Sequence, residues 1–223
     1  MPMYRAVNKD FFKKWTPEMA YVLGFLMADG YITHNKRGAH FFCFQICDLD
    51  ILEKIKDVLG ASHKISKKTK KRKNHSFQYR LQIGSKEMCA DLYVLGVTVG
   101  KTHNIRMPDV PPKFLTHFVR GYFDGDGNVW VGLSHKRTRI GSVAIQTAFT
   151  SCSGDFLKVL MEKLEKFDII GKIRNGAGYF RLNYSVASSL KLFNLMYGKY
   201  NGSLFLRRKR LVFDKYIRLK MRP

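Results

Sequence analysis

Acidic residues are scarce in this chain of 223 residues: 17 Asp and Glu stand against 40 Lys and Arg, a formal net charge of +23. A surface this basic repels its own copies at neutral pH, so the partner to expect is a polyanion. Nucleic acid is the first candidate and an anionic membrane surface the second. No apolar run is long enough to span a bilayer and no signal peptide opens the chain, so an intracellular protein is expected, neither membrane-spanning nor secreted. Cysteine is also sparse. Cys43, Cys47, Cys89 and Cys152 form no C-x-x-C pair and have no His at zinc-ligand spacing, which excludes a zinc module and leaves reduced, mostly buried thiols. Of only six prolines, Pro108, Pro111 and Pro112 cluster as the best linker.

Apolar residues make up 45% of the chain, enough for a folded core, so the charge is not that of a disordered basic tail. The stretch "KISKKTKKRK" (64–73) has seven basic residues in ten positions and reads either as a solvated loop or, in better accord with the overall charge, as a phosphate-neutralising arm with Lys67, Lys68, Lys70, Lys71, Arg72 and Lys73 as contacts. A second cluster, "RRKR" (207–210), lies within an apolar pattern of Leu204, Leu206, Leu211, Phe213 and Ile217, which predicts a C-terminal amphipathic helix.

The intervening pattern is mixed α and β. "FQYRLQI" (77–83) alternates strictly, with Gln78, Arg80 and Gln82 on one face; "AIQTAFT" and "YFRLNY" predict further strands. Side chains of this kind hydrogen-bond base edges in a major groove. Gln45, Gln78, Arg80 and Gln82 are the candidate readers of the first half, and Gln146, Arg174, Arg181 and Asn183 those of the second. Helices are predicted over 48–60, on an apolar stripe ended by Gly60, and over 153–167, opened by Ser153 and carrying Phe156, Leu157, Leu160, Met161, Leu164 and Phe167.

The chain repeats itself. "AYVLGFLMADG" (20–30) aligns without gaps on "HFVRGYFDGDG" (117–127), pairing Gly24 with Gly121, Ala28 with Gly125, Asp29 with Asp126 and Gly30 with Gly127. An offset of nearly half the chain implies a duplicated half-domain and an internal two-fold axis. Each copy predicts a helix, the first opened by Thr16-Pro17-Glu18 and each stopped by its last glycine. Gly24/Ala28 and Gly121/Gly125 place small residues on one helical face, so the two backbones can approach closely.

Asp29 and Asp126 then arrive at the C-terminal end of that contact, where each opposes its helix dipole and repels the other. A cation relieves both costs, and oxygen ligands suit Mg2+, whose role beside bound DNA is phosphodiester hydrolysis. A calcium loop is excluded. Asp124, Asp126 and Asn128 match its first ligands, but Val129 stands where Gly is required and His135 where Glu is required.

"VLGFLMADG" and "VRGYFDGDG" resemble the two motifs of the LAGLIDADG homing endonuclease family in its two-motif, single-chain form. The resemblance covers essentially the whole chain. It implies an α+β fold of two αββαββα half-domains related by a pseudo-two-fold axis, 1–107 and 108–223, with antiparallel saddle-shaped sheets and the motif helices packed at the interface. It also implies a monomeric, site-specific double-strand DNA endonuclease, cutting a long asymmetric target to short 3′ overhangs. Carried over by motif position, Asp29 and Asp126 are the metal-binding pair, with Mg2+ (or Mn2+ in vitro) supporting cleavage and Ca2+ binding without efficient cleavage. Met27 stands at the position of Asp124, which makes Asp124 secondary. The family's basic residues near the active site map to Lys101 in "VGKTHNI" and Lys209 in "FLRRKR". Its polar residue leading away from the metal maps to Gln45 or Asp48. The alternative on the same fold is an intron RNA maturase, with its own intron RNA as partner, or a non-cleaving DNA-binding regulator. Regulators of that kind carry a separate DNA-binding module, for which 223 residues leave no room.

Overall fold

A computed structural model of the chain describes residues 5–68, 77–100, 105–133 and 141–221. The chain divides into two compact units, Met1–Gly125 and Asp126–Pro223.

The first unit opens with α1 (Pro17–Asp29), followed by β1 (Gly30–His34), β2 (His40–Ile46), α2 (Leu49–Val58), β3 (Ile65–Lys68), β4 (Gln78–Gly84) and α3 (Lys86–Val94). The strands form one antiparallel sheet in the order β1-β2-β4-β3. A short 3₁₀ turn, Pro112–Phe114, leads into α4 (Leu115–Asp126). The remaining strands and α-helices are β5 (Gly127–Leu133), β6 (Val143–Ser151), α5 (Gly154–Glu165), β7 (Gly171–Asn175), β8 (Phe180–Tyr184), α6 (Val186–Phe193), which runs on into a π-helical turn Asn194–Gly198, and α7 (Arg207–Lys220). Their sheet has the order β5-β6-β8-β7, the same topology again.

The duplication extends to the ladder register. Gly30, Phe44, Leu81 and Ile65 form one row across the first sheet, and Gly127, Phe149, Leu182 and Ile173 form the matching row of the second. Phe44, Leu81, Phe149 and Leu182 are fully buried. Because side chains alternate along a strand, fixing this row fixes which residues of every strand face the helices and which face away. The covered faces are mostly apolar at their centres; in the second sheet buried Thr147 is an exception, its amide and hydroxyl meeting the Ser189 hydroxyl of α6 at 3.0 and 2.9 Å.

The helices follow the predicted periodicities closely, with corrections at their ends. In α2, Ile51, Leu52, Ile55 and Leu59 are buried, and Gly60 ends the helix at φ +57. Amides of Gly60 and Ala61 bond back to Asp57 and Lys56, the hydrogen-bond pair of a Schellman cap. Ser153 caps α5 as expected, accepting from the Phe156 amide at 3.3 Å. Phe167, expected on the buried stripe, is instead exposed, because α5 stops at Glu165 and the chain turns before it. Leu211, expected on the apolar side of α7, is also exposed. The buried stripe of that helix is Lys209, Phe213 and Tyr216, spaced by four and three residues.

Candidate metal residues and nucleic-acid interface

Thr16 opens α1, its hydroxyl oxygen accepting from the Met19 amide at 3.0 Å, with Pro17 at the first helical position. The helix ends at Asp29 and the chain enters β1 at the next residue. Gly30 stops the helix as expected, and does so in an extended conformation, at φ −99 and ψ 173. Glycine is required there for space, since a Cβ would collide with the Leu26 side chain and come within 2.7 Å of the Leu26 carbonyl oxygen. This loop-free helix-to-strand switch leaves Asp29 half-buried at the junction. Asp126 stands likewise, half-buried as the last residue of α4 immediately before β5.

α1 and α4 touch backbone to backbone. A Cβ at Gly24 would meet the Phe118 carbonyl oxygen and, at 2.9 Å, the Tyr122 nitrogen. One at Gly121 would meet the Tyr21 carbonyl oxygen and, at 3.0 Å, the Phe25 nitrogen. Phe118 and Tyr122 are the counterparts of Tyr21 and Phe25 in the repeat, so the contact is reciprocal. Gly125 lies against Ala28, completing the expected small-residue face. This packing places α4 in the first compact unit although its sequence belongs to the second repeat.

Asp124 belongs to this contact. Fully buried, it accepts a hydrogen bond from the Tyr21 hydroxyl at 2.7 Å. Arg120, also buried, lies beside the Tyr21 ring, with Nη2 3.1 Å from His117 Nδ1. Burial first, then the Arg120 charge, push His117 below the ordinary histidine range, against a smaller opposing effect of Glu18.

Lys209 is buried at the start of α7, and its ammonium donates to the Gly127 carbonyl oxygen at 2.6 Å. That oxygen belongs to the residue following Asp126, so Lys209 is anchored at the junction that carries the acid. Lys101 lies outside the described residues, as do Lys70, Lys71, Arg72 and Lys73. Gln45 is on β2 and donates to the Gln78 side chain at 2.8 Å; Asp48 is the N-cap residue of α2.

The candidate readers lie on the sheet faces turned away from the covered rows. On the first sheet, Gln45 stands opposite Arg80, and Lys68 opposite Gln78. Gln82 stands opposite Cys43, a buried thiol. Lys67 is on the other face, with its ammonium 3.8 Å from the Phe77 ring centroid. On the second sheet, Arg174 stands directly opposite Arg181, and Lys172 opposite Asn183. Gln146 stands opposite Trp130, and a cavity of about 340 Å³ is lined by both with Asn128, Arg181 and Asn183. Like charges set side by side weaken a ladder unless an anion joins them. None of the eight strands contains an Asp or Glu. Asp29 and Asp126 immediately precede the first strand of each sheet.

The sequence matches the LAGLIDADG-like domain over residues 16–93 and 113–198, one stretch for each repeat. The chain belongs to the LAGLIDADG family. Its fold is that of LAGLIDADG homing endonucleases. Against the LAGLIDADG meganuclease I-AabMI bound to uncleaved DNA, the TM-score is 0.61 at 15% identity, covering 92% of this chain and 90% of that one. Against I-WcaI bound to its DNA recognition sequence, the TM-score is 0.60 at 15% identity, covering 91% and 90%. I-DmoI in complex with DNA and Mn gives 0.55 at 14% identity, covering 86% and 99%.

Sequence similarity also reaches elongation factor 2 of Methanopyrus kandleri, 37% identical over 97 residues, 42% of this chain. A probable translation initiation factor IF-2 of Thermococcus kodakarensis is 32% identical over 159 residues, 68% of this chain. The chain spans only 7% and 12% of those two proteins.

Within this LAGLIDADG chain, sequence reasoning missed Trp130, Asn128 and Lys172 on the polar face of the second sheet. Alternation could have found them: Trp130 is two residues from Asn128 and faces Gln146 across the ladder. Among the described residues no cluster of three or more His, Cys, Asp or Glu occurs, and no helix is long and apolar enough to cross a membrane. Asp29 and Asp126 each offer carboxylate oxygens, a donor that suits a hard divalent cation retaining water ligands.

Proposed function

We propose that the protein is a site-specific double-strand DNA endonuclease acting as a monomer on a long asymmetric target. The observation that carries this reading is the distribution of charge: eight strands free of acid, with Gln, Asn, Lys and Arg on their polar faces, and one aspartate immediately before each sheet. Acid-free polar faces suit phosphate and base-edge contacts, in which Arg reads guanine and Asn or Gln reads adenine. The solved relatives bound to DNA support the same partner.

In this reading Asp29 and Asp126 hold divalent metal, Mg2+ or in vitro Mn2+, which when bound supplies an activated water and stabilises the leaving oxygen. The Mn-containing complex of I-DmoI supports a divalent ion of this kind. Lys209 holds positive charge at the Asp126 junction, where it steadies the scissile phosphate, and Lys101 is assigned the same part in the first half. The halves 1–107 and 108–223 differ in sequence, so each reads a different half-site. The cut leaves short 3′ overhangs.

The test is selection of cleaved sites from a random duplex library with Mg2+, then assay of Asp29→Asn and Asp126→Asn on the selected target. Both variants are expected to bind and not cut. Normal cutting by either would remove that residue from the metal site. Absence of any cleaved sequence with the unaltered protein would end the endonuclease reading.

A further inference from the structure

In the first unit β3 begins its pairing with β4 at Ile65 opposite Leu81, while β4 runs on to Gly84. Beside the edge of β4 that β3 leaves uncovered lies a cavity of about 870 Å³. Arg5, Lys9, Lys64, Arg80 and Lys86 all line it, together with Ser85, the N-cap of α3. The one acid among the described lining residues is Glu87, which is occupied by Lys13 at 2.7 Å and by Lys9 at 3.9 Å. A basic outer wall is held in place by three backbone anchors. The Ala6 amide donates to the Ser62 hydroxyl oxygen, the Ser62 amide to the Ala6 carbonyl, and the Asn8 amide to the Leu59 carbonyl, each at 2.9 Å.

Two side-chain nitrogens in this lining are buried without a hydrogen-bond partner: Nδ1 of His63, a residue only 6% exposed, and Nε of Arg80. Buried polar groups are ordinarily satisfied, so a pair of orphans in one cavity asks for a ligand. The charged groups of the lining give the sign of that ligand. Five cationic side chains and the N-terminal end of α3 favour an anion with several acceptor oxygens. Arg5 and Lys56 are the charges acting on His63, and with burial, the larger cause, they hold it below the ordinary histidine range. An anion seated among them reverses that effect and makes both ring nitrogens donors.

We propose that this cavity is a phosphate seat, distinct from the two motif acids. It takes a phosphate group, either from the backbone of a DNA strand leaving the edge of the first sheet or as a free ion. The DNA form rests on the endonuclease reading; the free-ion form does not.

The experiment follows the histidine ring resonances of the full chain by NMR, with His63 assigned through His63→Asn. Inorganic phosphate and a random-sequence duplex are added separately, each against chloride at equal ionic strength. The His63 titration midpoint is expected to rise with the duplex. In Lys64→Ala/Lys86→Ala, which changes two exposed side chains, the rise should shrink. The salt dependence of duplex binding should also become shallower, by about 0.9 in log–log slope for each phosphate the protein no longer neutralises. A rise with inorganic phosphate and none with duplex supports the seat and assigns it to the free ion. If neither probe moves His63 and the double variant keeps the original salt slope, the seat is overturned. A protein that cuts no DNA yet shows the phosphate response loses the endonuclease reading and keeps the seat.

Discussion

The buried ammonium of Lys209 donates to the carbonyl oxygen of Gly127 at 2.6 Å, one residue beyond Asp126. A lysine used only for solubility would extend into water; this one heads the buried stripe of α7 and fixes a charge at the helix-to-strand junction. If it stabilises charge on the phosphate cut at that junction, Lys209→Met should slow that strand by about 100- to 1,000-fold, the usual cost of one preorganised donor. The other strand should be spared. Supercoiled plasmid carrying the target should then accumulate as nicked circle, with binding intact. Equal slowing of both strands would count against a role confined to Asp126.

The reciprocal contact between α1 and α4 sets a conflict between two effects of opposite sign. In a helix interior Ala is favoured over Gly by up to about 1 kcal/mol. At Gly24 and Gly121, however, the atoms a new methyl would meet include backbone atoms of the facing helix, which cannot swing aside. Overpacking of this kind costs about 1–3 kcal/mol. Gly24→Ala and Gly121→Ala are therefore expected to destabilise by about 1–2 kcal/mol in denaturant unfolding. Leu211→Ala, on the exposed side of α7, should stay within about 0.5 kcal/mol and serves as the control. A neutral Gly24→Ala would mean that the helices stand further apart.

Asp168 is the one non-glycine with positive φ among the described residues, at 55°. Its amide bonds to Glu165 and that of Ile169 to Leu164, the same pattern that Gly60 and Ala61 make after α2 and Gly96 and Val97 after α3. Two of the three caps use glycine and this one uses an exposed aspartate, which bears the cost of a left-handed backbone. Asp168→Gly should stabilise the fold by about 0.5–1 kcal/mol, read as a raised denaturation midpoint. The Lys191 contact survives the change, because it is made to the backbone oxygen of Asp168.

His63 and His117 are both held below the ordinary histidine value of about 6.5, chiefly by burial, with Arg5 and Arg120 as the leading charges. Below pH 6.5 the unfolded chain takes up protons that the folded chain refuses, so stability rises with pH across that window. Their contribution is intact above pH 6.5 and is lost as pH falls through the folded values. Melting temperature is expected to drop between pH 7 and pH 5, and His117→Gln should flatten the profile. A profile in His117→Gln as steep as the parent's would assign the drop to other groups.

How much of this was legible follows from where the information lies along the chain. The motif helices were readable because Gly24, Ala28, Asp29 and Gly30 return in the same spacing 97 residues later, and small residues four apart mean one thing on a helix. The polar face was legible on β4, where alternation is strict from Phe77 to Ile83. It was obscured on β5, where Val129, Val131 and Leu133 flank Trp130 and the apolar run conceals the alternation. The Tyr21–Asp124 bond and the burial of Lys209 were not legible. Each joins residues about 80 to 100 positions apart, and nothing local in "FDGDG" or "RRKR" announces a partner at that distance.

Trp130 carries the last prediction, because it sits where polar readers are expected. It stands opposite Gln146, is 46% exposed, and its ring lies over Gly132 so closely that a Cβ there would strike it. An apolar surface so placed among Asn128, Arg181 and Asn183 suits a thymine methyl group, the one apolar feature of the major groove. Trp130→Ala should relax preference for thymine at one or two positions of the selected target. Replacing that thymine with uracil should weaken binding by about 0.8 kcal/mol, roughly fourfold, the value of one buried methyl. Since Trp15 and Trp130 are the only tryptophans, Trp15→Phe isolates the signal, and duplex should change its fluorescence. An emission spectrum that ignores bound duplex would take the β5 face out of the interface, and the Gln146 assignment opposite it would go with it.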